Sequence, residues 1–343
     1  IVSFVQSDCV RHAGAQNEVE LIMPVVQAAL KEAGLSSVQD VDFTCSGSCD
    51  YQQGAAFAFV AGVDALGAVP PIKESHVEMD AAWALYESWL KIQMGQAESA
   101  LIYGFGKSSP GQLSNVLSLQ LDPYYLAPLG VDTISLAAMQ ARSLLESGEV
   151  SEADLAEVVV NSRANAKNNP HAQLSGDFTV DQLLAEPETV SPLRKHDCCP
   201  ISDGAAAMII CTVEKAKAMD KPYAVIKGID HRIETHHVTL RDLSRSPSVQ
   251  IAAEKAGLHD APVDVAEIYA PFSHQEIIVK RALGLDDSVA INPSGGVLAG
   301  HLFMASGLSR IGEVAKRIIS GEYKRGVAHA TSGPCLQQNM ITV

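Results

Sequence analysis

Several side chains in this sequence could do acid–base or nucleophilic work, and they lie far apart in the chain. Tyr269 stands in "EIYAPFS", His301 closes "SGGVLAGH", and His329 precedes a glycine turn in "AHATSGPC". A tyrosine with an ordinary pKa near ~10 must be helped to exchange protons, whereas histidine does so near neutrality. Each has a plain alternative: a strand tyrosine with a satisfied hydroxyl, or a core histidine. Gly295, Gly296 and Gly300, just before His301, permit close backbone approach to a ligand. Cys335 is the thiol best placed to act as a nucleophile. Cys198 and Cys199 are adjacent, which does not suit one metal ion, and read as packing residues ahead of a strand. Cys45 and Cys49 in "CSGSC" have metal-like spacing but no second ligand pair, so a buried small-residue turn is expected and no metal. In "ESHVEMDAAWALY" a turn feeds a helix whose start carries Glu78 and Asp80. The pair could serve as bases, but acidic residues in a first turn ordinarily meet free N–H groups and the helix dipole. A helix start also suits a nucleophile, yet no Cys or Ser lies between Val77 and Tyr86.

The elements that must position these residues repeat. "VQAALKEAGL" from Val26 and "VQIAAEKAGL" from Val249 agree at six of ten positions, 223 residues apart. A second pair, from Ile92 and Ile318, each runs from a helix through a glycine turn into an apolar strand, 226 residues apart. Two matched segments in the same order at nearly the same spacing indicate a duplicated half, and a period this long is a domain, not a solenoid unit. Within each half, helical periodicity ("ELIMPVVQAALKEAGL", "LSRIGEVAKRIISG") alternates with short apolar strands ("SALIYGFG", "VAEIYAPF"). This predicts α/β architecture: two βαβαβ-type halves in a layered α/β/α/β/α sandwich. The halves are expected at 1–219 and 220–343. An insertion at about 107–197, rich in Pro, Gly and Asn clusters, is expected over the active-site face.

Composition excludes several classes. The chain has 343 residues, 47% of them hydrophobic, enough for a substantial core. A net charge of −15 argues against nucleic-acid binding, and the apolar runs are too short for a membrane span. Seven cysteines without a regular framework point to a reducing, cytoplasmic setting. Ile1 in the first position implies that residues precede it; no charged-then-apolar leader opens the sequence. No Walker loop or dinucleotide fingerprint is present.

Taken together, "HDCCPISDGAAAMII", "EIYAPFS", "NPSGGVLAGHLFMASGLSRIGE" and "ATSGPC" resemble the thiolase superfamily over nearly the whole chain. Within it, the sequence looks like the lipid-transfer-protein subgroup that includes steroid side-chain aldolases. Thiolases carry their acylated cysteine at the start of the helix that here begins near Asp80 and Ala81, where this chain has no thiol, so no acyl-enzyme can form there. Tyr269 stands where thiolases have an Asn or His that orients water, and the aldolases resemble this sequence at that Tyr. Cys335 lies near the place of the second thiolase cysteine. The resemblance implies retro-aldol cleavage of a β-hydroxyacyl-CoA thioester with a bulky acyl group, such as a steroid-derived one. Tyr269 and His301 would be catalytic, His329, Cys335 and Asp80 candidates, and Gly295, Gly296 and Gly300 the backbone that approaches the thioester. Asp203 reads as structural. Lys107, Arg163 and Lys167 are candidates for coenzyme A phosphates, with ordinary solvation as the alternative. No bound cofactor is implied beyond the coenzyme A of the substrate. A homodimer and a small partner with an OB-fold and a zinc ribbon are implied as well. The rivals are an acetyl-CoA acetyltransferase (thiolase) using another cysteine, and a noncatalytic subunit that binds acyl-CoA or scaffolds a partner.

Overall fold

A computed structural model describes residues 1–54, 56–67 and 72–343. Its strands are β1 (Ser3–Gln6), β2 (Phe43–Gly47), β3 (Glu74–Val77), β4 (Ser99–Gly106), a small hairpin of β5 (Glu188–Val190) and β6 (Leu193–Arg194), β7 (Gly204–Cys211), β8 (Ile229–Ile233), β9 (Val265–Ile268), β10 (Ala290–Ile291), β11 (Gly326–Ser332) and β12 (Gln338–Thr342). One five-stranded sheet runs β1-β7-β4-β2-β3, the other β8-β12-β11-β9-β10. The two orders correspond strand for strand. So do the directions: β2 is parallel to β3 and β4, as β9 is to β10 and β11, while β7 and β12 each run antiparallel to both neighbours. The repeated sequence segments fall on the equivalent helices Glu18–Ala33 and Pro247–Lys255. Glu74 to Val77, which read as a turn, is instead a strand: it adds to β2 in parallel register, Thr44 opposite Glu74.

Five layers result. The helices Ala81–Gln93 and Ser306–Ile319 form the middle one, their apolar faces (Ala82, Leu85, Leu308, Ile311) sharing a core with both sheets. Glu18–Ala33 covers the outer face of the first sheet; Pro247–Lys255 and Ser273–Leu283 cover that of the second. Every residue of β4 is buried, which is why the strand reads as a continuous apolar run and not as an alternation. The residues between β4 and β7 form further helices, Thr133–Glu146 and Glu152–Ala166 the longest. Among the described residues no helix is long and apolar enough to cross a membrane.

Close approach of the two halves depends on small residues. A Cβ on Gly104, in β4, would lie 2.6 Å from the carbonyl oxygen of Met304 and 2.7 Å from Cβ of Ala81. Gly104→Ala should therefore destabilise the protein by about 1–3 kcal/mol through overpacking. Urea denaturation checks this, and an unchanged midpoint would contradict the packing described.

Candidate active site

The site begins with the two middle helices, which meet at their N-termini. Asp80 is the N-cap of Ala81–Gln93, one carboxylate oxygen accepting from the backbone N–H of Ala82 at 2.8 Å. The same carboxylate reaches the second helix, accepting from Gly307 N at 2.8 Å and Leu308 N at 3.2 Å. Space for it exists because residue 307 lacks a side chain: a Cβ there would sit 2.6 Å from Asp80 Oδ1. Burial pushes the Asp80 carboxyl up to about 6, against the pull of the three N–H groups. The acidic cap expected at this helix start is present, and it serves two helices at once. Glu78 is exposed and accepts from Asp50 N at 2.6 Å, so the two acids do not work as a pair.

Tyr269 follows the end of β9, and His301 follows the short helix Gly296–Ala299. Their side chains meet: Tyr269 Oη lies 2.7 Å from His301 Nε2. That hydroxyl also reaches the carbonyl oxygen of Phe303 at 3.4 Å, and the Ser306 hydroxyl lies close by. Phe303 adopts a left-handed backbone (φ 48°), a conformation strained for a bulky residue, and its ring lies 4.3 Å from that of His301. The backbone N–H of His301 donates to Ser202 Oγ at 3.0 Å, and that hydroxyl donates to Gln173 at 2.7 Å. Burial, with the Arg310 charge nearby, lowers His301 to about 3, and burial, with Asp80 nearby, raises Tyr269 well above the ordinary phenol value. Both rings are thus neutral at physiological pH. Arg310 is itself buried in a pair with Glu267, Nη1 to Oε2 at 2.5 Å, and also donates to Ser294 Oγ at 2.5 Å.

A cavity of about 420 Å³ brings these groups together: Asp80, Tyr269 and His301 line it, as do Cys199 and Cys335. Leu113, Leu117, Leu121 and Ile134, all from the segment between β4 and β7, make its wall apolar with Phe272 and Leu336. Cys335 is buried, its thiol donating to the Leu136 carbonyl at 3.4 Å and its pKa raised by burial to about 11. Such a thiol is a poor nucleophile.

Other expectations are corrected. His329 is not at the cavity: it is fully buried on β11, bonded through Nε2 to Asn339 at 2.9 Å, and burial lowers it to about 4. Gly295, Gly296 and Gly300 do not line it either. A Cβ on Gly295 would meet Ala166 and one on Gly300 would meet Cys9, each at 2.7 Å, so these glycines serve packing of the loop that carries His301. Gly296 turns the same loop at φ 64° against Asn292. Of the cations offered for phosphates, Arg163 is buried and donates to the Leu298 carbonyl, Lys107 donates to the Gln16 carbonyl, and Lys167 pairs with Asp177 at 2.7 Å. Asp203, as expected, is structural: fully buried, it accepts from Ala13 N at 2.9 Å and Ser109 N at 3.1 Å.

One contact escaped sequence reasoning. Cys199 Sγ lies 3.4 Å from His301 Nδ1, across 102 residues of sequence. The adjacent "CC" carried no signal of it; the join of Cys199 N to the Pro271 carbonyl (2.8 Å), two residues past Tyr269, helps place the thiol there.

Comparisons with known proteins agree with this fold. The family description "Thiolase, C-terminal domain" matches residues 223–342. The acetyl-CoA acetyltransferase of Methanothermobacter thermautotrophicus is 32% identical over 235 residues, 62% of this chain and 61% of that protein. Sterol carrier protein 2 of Gallus gallus is 26% identical over 314 residues, 80% of this chain and 57% of that protein. The chain thus matches about three fifths of the length of these relatives. The solved Ltp2-ChsH2(DUF35) aldolase superposes with a TM-score of 0.82 at 19% identity, covering 100% of this chain and 96% of that one. The chain has the thiolase-like fold, and its residues 223–342 match the thiolase C-terminal domain.

Two outcomes follow for Asp80. Asp80→Ala leaves three buried N–H groups without an acceptor and should cost at least about 3 kcal/mol. Because the folded pKa lies above the ordinary 3.8, at about 6, the protonated form is favoured by folding; that stabilisation is complete below 3.8 and lost as pH rises through 6. Asp80→Asn, which cannot ionise, should flatten this part of the stability curve in urea titrations. Equal slopes in both proteins would contradict the assignment.

Proposed function

We propose that the protein is a carbon–carbon lyase that cleaves a β-hydroxyacyl-CoA thioester by a retro-aldol step. The observation that carries this is the Tyr269–His301 pair, 2.7 Å apart on the cavity, beside a helix start that holds the Asp80 carboxylate where a thiolase holds its thiol. The proton of the β-hydroxyl passes to Tyr269 as the phenol proton moves onto His301 Nε2. The Cα–Cβ bond breaks, its electrons entering the thioester as an enolate, and the Cβ oxygen becomes a ketone carbonyl. The relay then runs back and delivers one proton to Cα, giving a shorter acyl-CoA. Nothing is oxidised or reduced and no covalent intermediate is required.

The apolar wall supports a bulky hydrocarbon acyl group, such as a steroid side chain on its ring system. The aldolase similar in fold carries DUF35 in its name. By extension, a homodimer with a small OB-fold and zinc-ribbon partner is the assembly we infer.

A thiolase reading draws on the relatives named acetyl-CoA acetyltransferase. Kinetics separate the readings. With a steroid-derived β-hydroxyacyl-CoA, wild-type protein, with the partner if needed, should release ketone and short acyl-CoA at a rate iodoacetamide does not reduce. Tyr269→Phe should lower kcat roughly 10²–10⁴-fold, the usual contribution of a positioned acid–base group. Loss of activity on alkylation would favour the thiolase, and inert substrate the noncatalytic subunit.

A further inference from the structure

Resting on that reading, we infer that Cys199 is a positioning residue for His301: its sulfur accepts the Nδ1–H of the imidazole and fixes the tautomer that leaves Nε2 free to take the phenol proton of Tyr269. The argument is one of counting protons. A neutral imidazole has one donor and one acceptor nitrogen. The Tyr269 hydroxyl has one proton and meets His301 Nε2 at 2.7 Å and the Phe303 carbonyl at 3.4 Å, while the Ser306 hydroxyl close by is free to donate to the phenol oxygen. The shorter contact takes the proton, so Nε2 is the acceptor and Nδ1 carries the hydrogen. Nδ1 faces Cys199 Sγ at 3.4 Å, within the range for a sulfur acceptor. The opposite tautomer would place a hydrogen on Nε2 aimed at the phenol oxygen, which could then donate but could no longer pass its own proton to the imidazole.

The backbone makes this contact fixed rather than incidental. Cys198 and Phe272 form an isolated antiparallel bridge, and Cys199 N donates to the Pro271 carbonyl at 2.8 Å. The segment bearing the thiol is therefore tied to the segment that leaves Tyr269, while Ser202, three residues on, holds the His301 backbone N–H at 3.0 Å. Thiol, imidazole and phenol are held as one unit by three separate pieces of chain. A partner that orients a histidine through its second nitrogen acts on the first nitrogen through the imidazole.

The test reads the tautomer directly. Selective 15N-histidine labelling, with the His301 signals identified by their loss in His301→Asn, should show Nδ1 protonated in the wild-type protein. In Cys199→Ala the fixed pattern should give way to exchange between tautomers, and Cys199→Ser, whose hydroxyl can also accept, should restore it. Turnover of the β-hydroxyacyl-CoA should fall about 10-fold or more in Cys199→Ala, mainly through kcat, and recover in the Ser variant. A wild-type spectrum with hydrogen on Nε2, or an unchanged spectrum in a folded Cys199→Ala protein, overturns the inference. Should Cys199→Ala not fold, the wild-type tautomer decides alone. A wild-type protein with the expected tautomer but no lyase activity would remove the functional reading and leave the contact standing.

Discussion

Two helices that meet N-terminus to N-terminus bring free N–H groups and two positive dipole ends to the same buried point, and the carboxylate of Asp80 answers both. It accepts from Ala82 on one helix and from Gly307 and Leu308 on the other. Much of the architecture follows from this. The helices form the central layer, and Gly307 and Gly104 supply the space that lets the halves close around the junction. Burial penalises the charge, and the donors compensate only in part, which leaves the carboxyl near 6. A nucleophile at this helix start would be activated by the same dipoles; an already capped carboxylate answers them instead and offers no thiol for acylation.

In the proposed reaction the chemistry falls to the next neighbours. Tyr269 and His301 come from the second half, at the end of β9 and after the Gly296–Ala299 turn, and the buried Glu267–Arg310 pair lies beneath them. Neither ring is ionised near neutrality, so a proton can pass between them only in concert with a substrate group. That suits a reaction that takes a proton from an oxygen and returns one to a carbon. The apolar wall contributed by the segment between β4 and β7 shapes what enters.

Much of the fold was legible in the sequence because strands buried on both faces leave unbroken apolar runs, as in β4, and because a duplication leaves matched helix ends. The Glu74–Val77 strand was not, since four residues at a sheet edge carry too little pattern. Tyr269 and His301 stood out through the boxes around them, not through their own types, and the fold brings their side chains into contact. The glycines before His301 misled, because a glycine needed for packing against Ala166 or Cys9 looks the same in sequence as one needed for a ligand. His329 misled likewise: a buried histidine bonded to Asn339 has no sequence mark that separates it from a catalytic one. Cys199 was hidden by distance, as only a folded chain brings residue 199 to residue 301.

The central claim is that this site breaks a carbon–carbon bond without becoming acylated. Intact-mass spectrometry of the protein, quenched during turnover of a β-hydroxyacyl-CoA with no free coenzyme A added, tests it most directly. The account predicts protein of unmodified mass while ketone and short acyl-CoA accumulate. Protein carrying the mass of an acyl group, with product appearing only once coenzyme A is supplied, would contradict it.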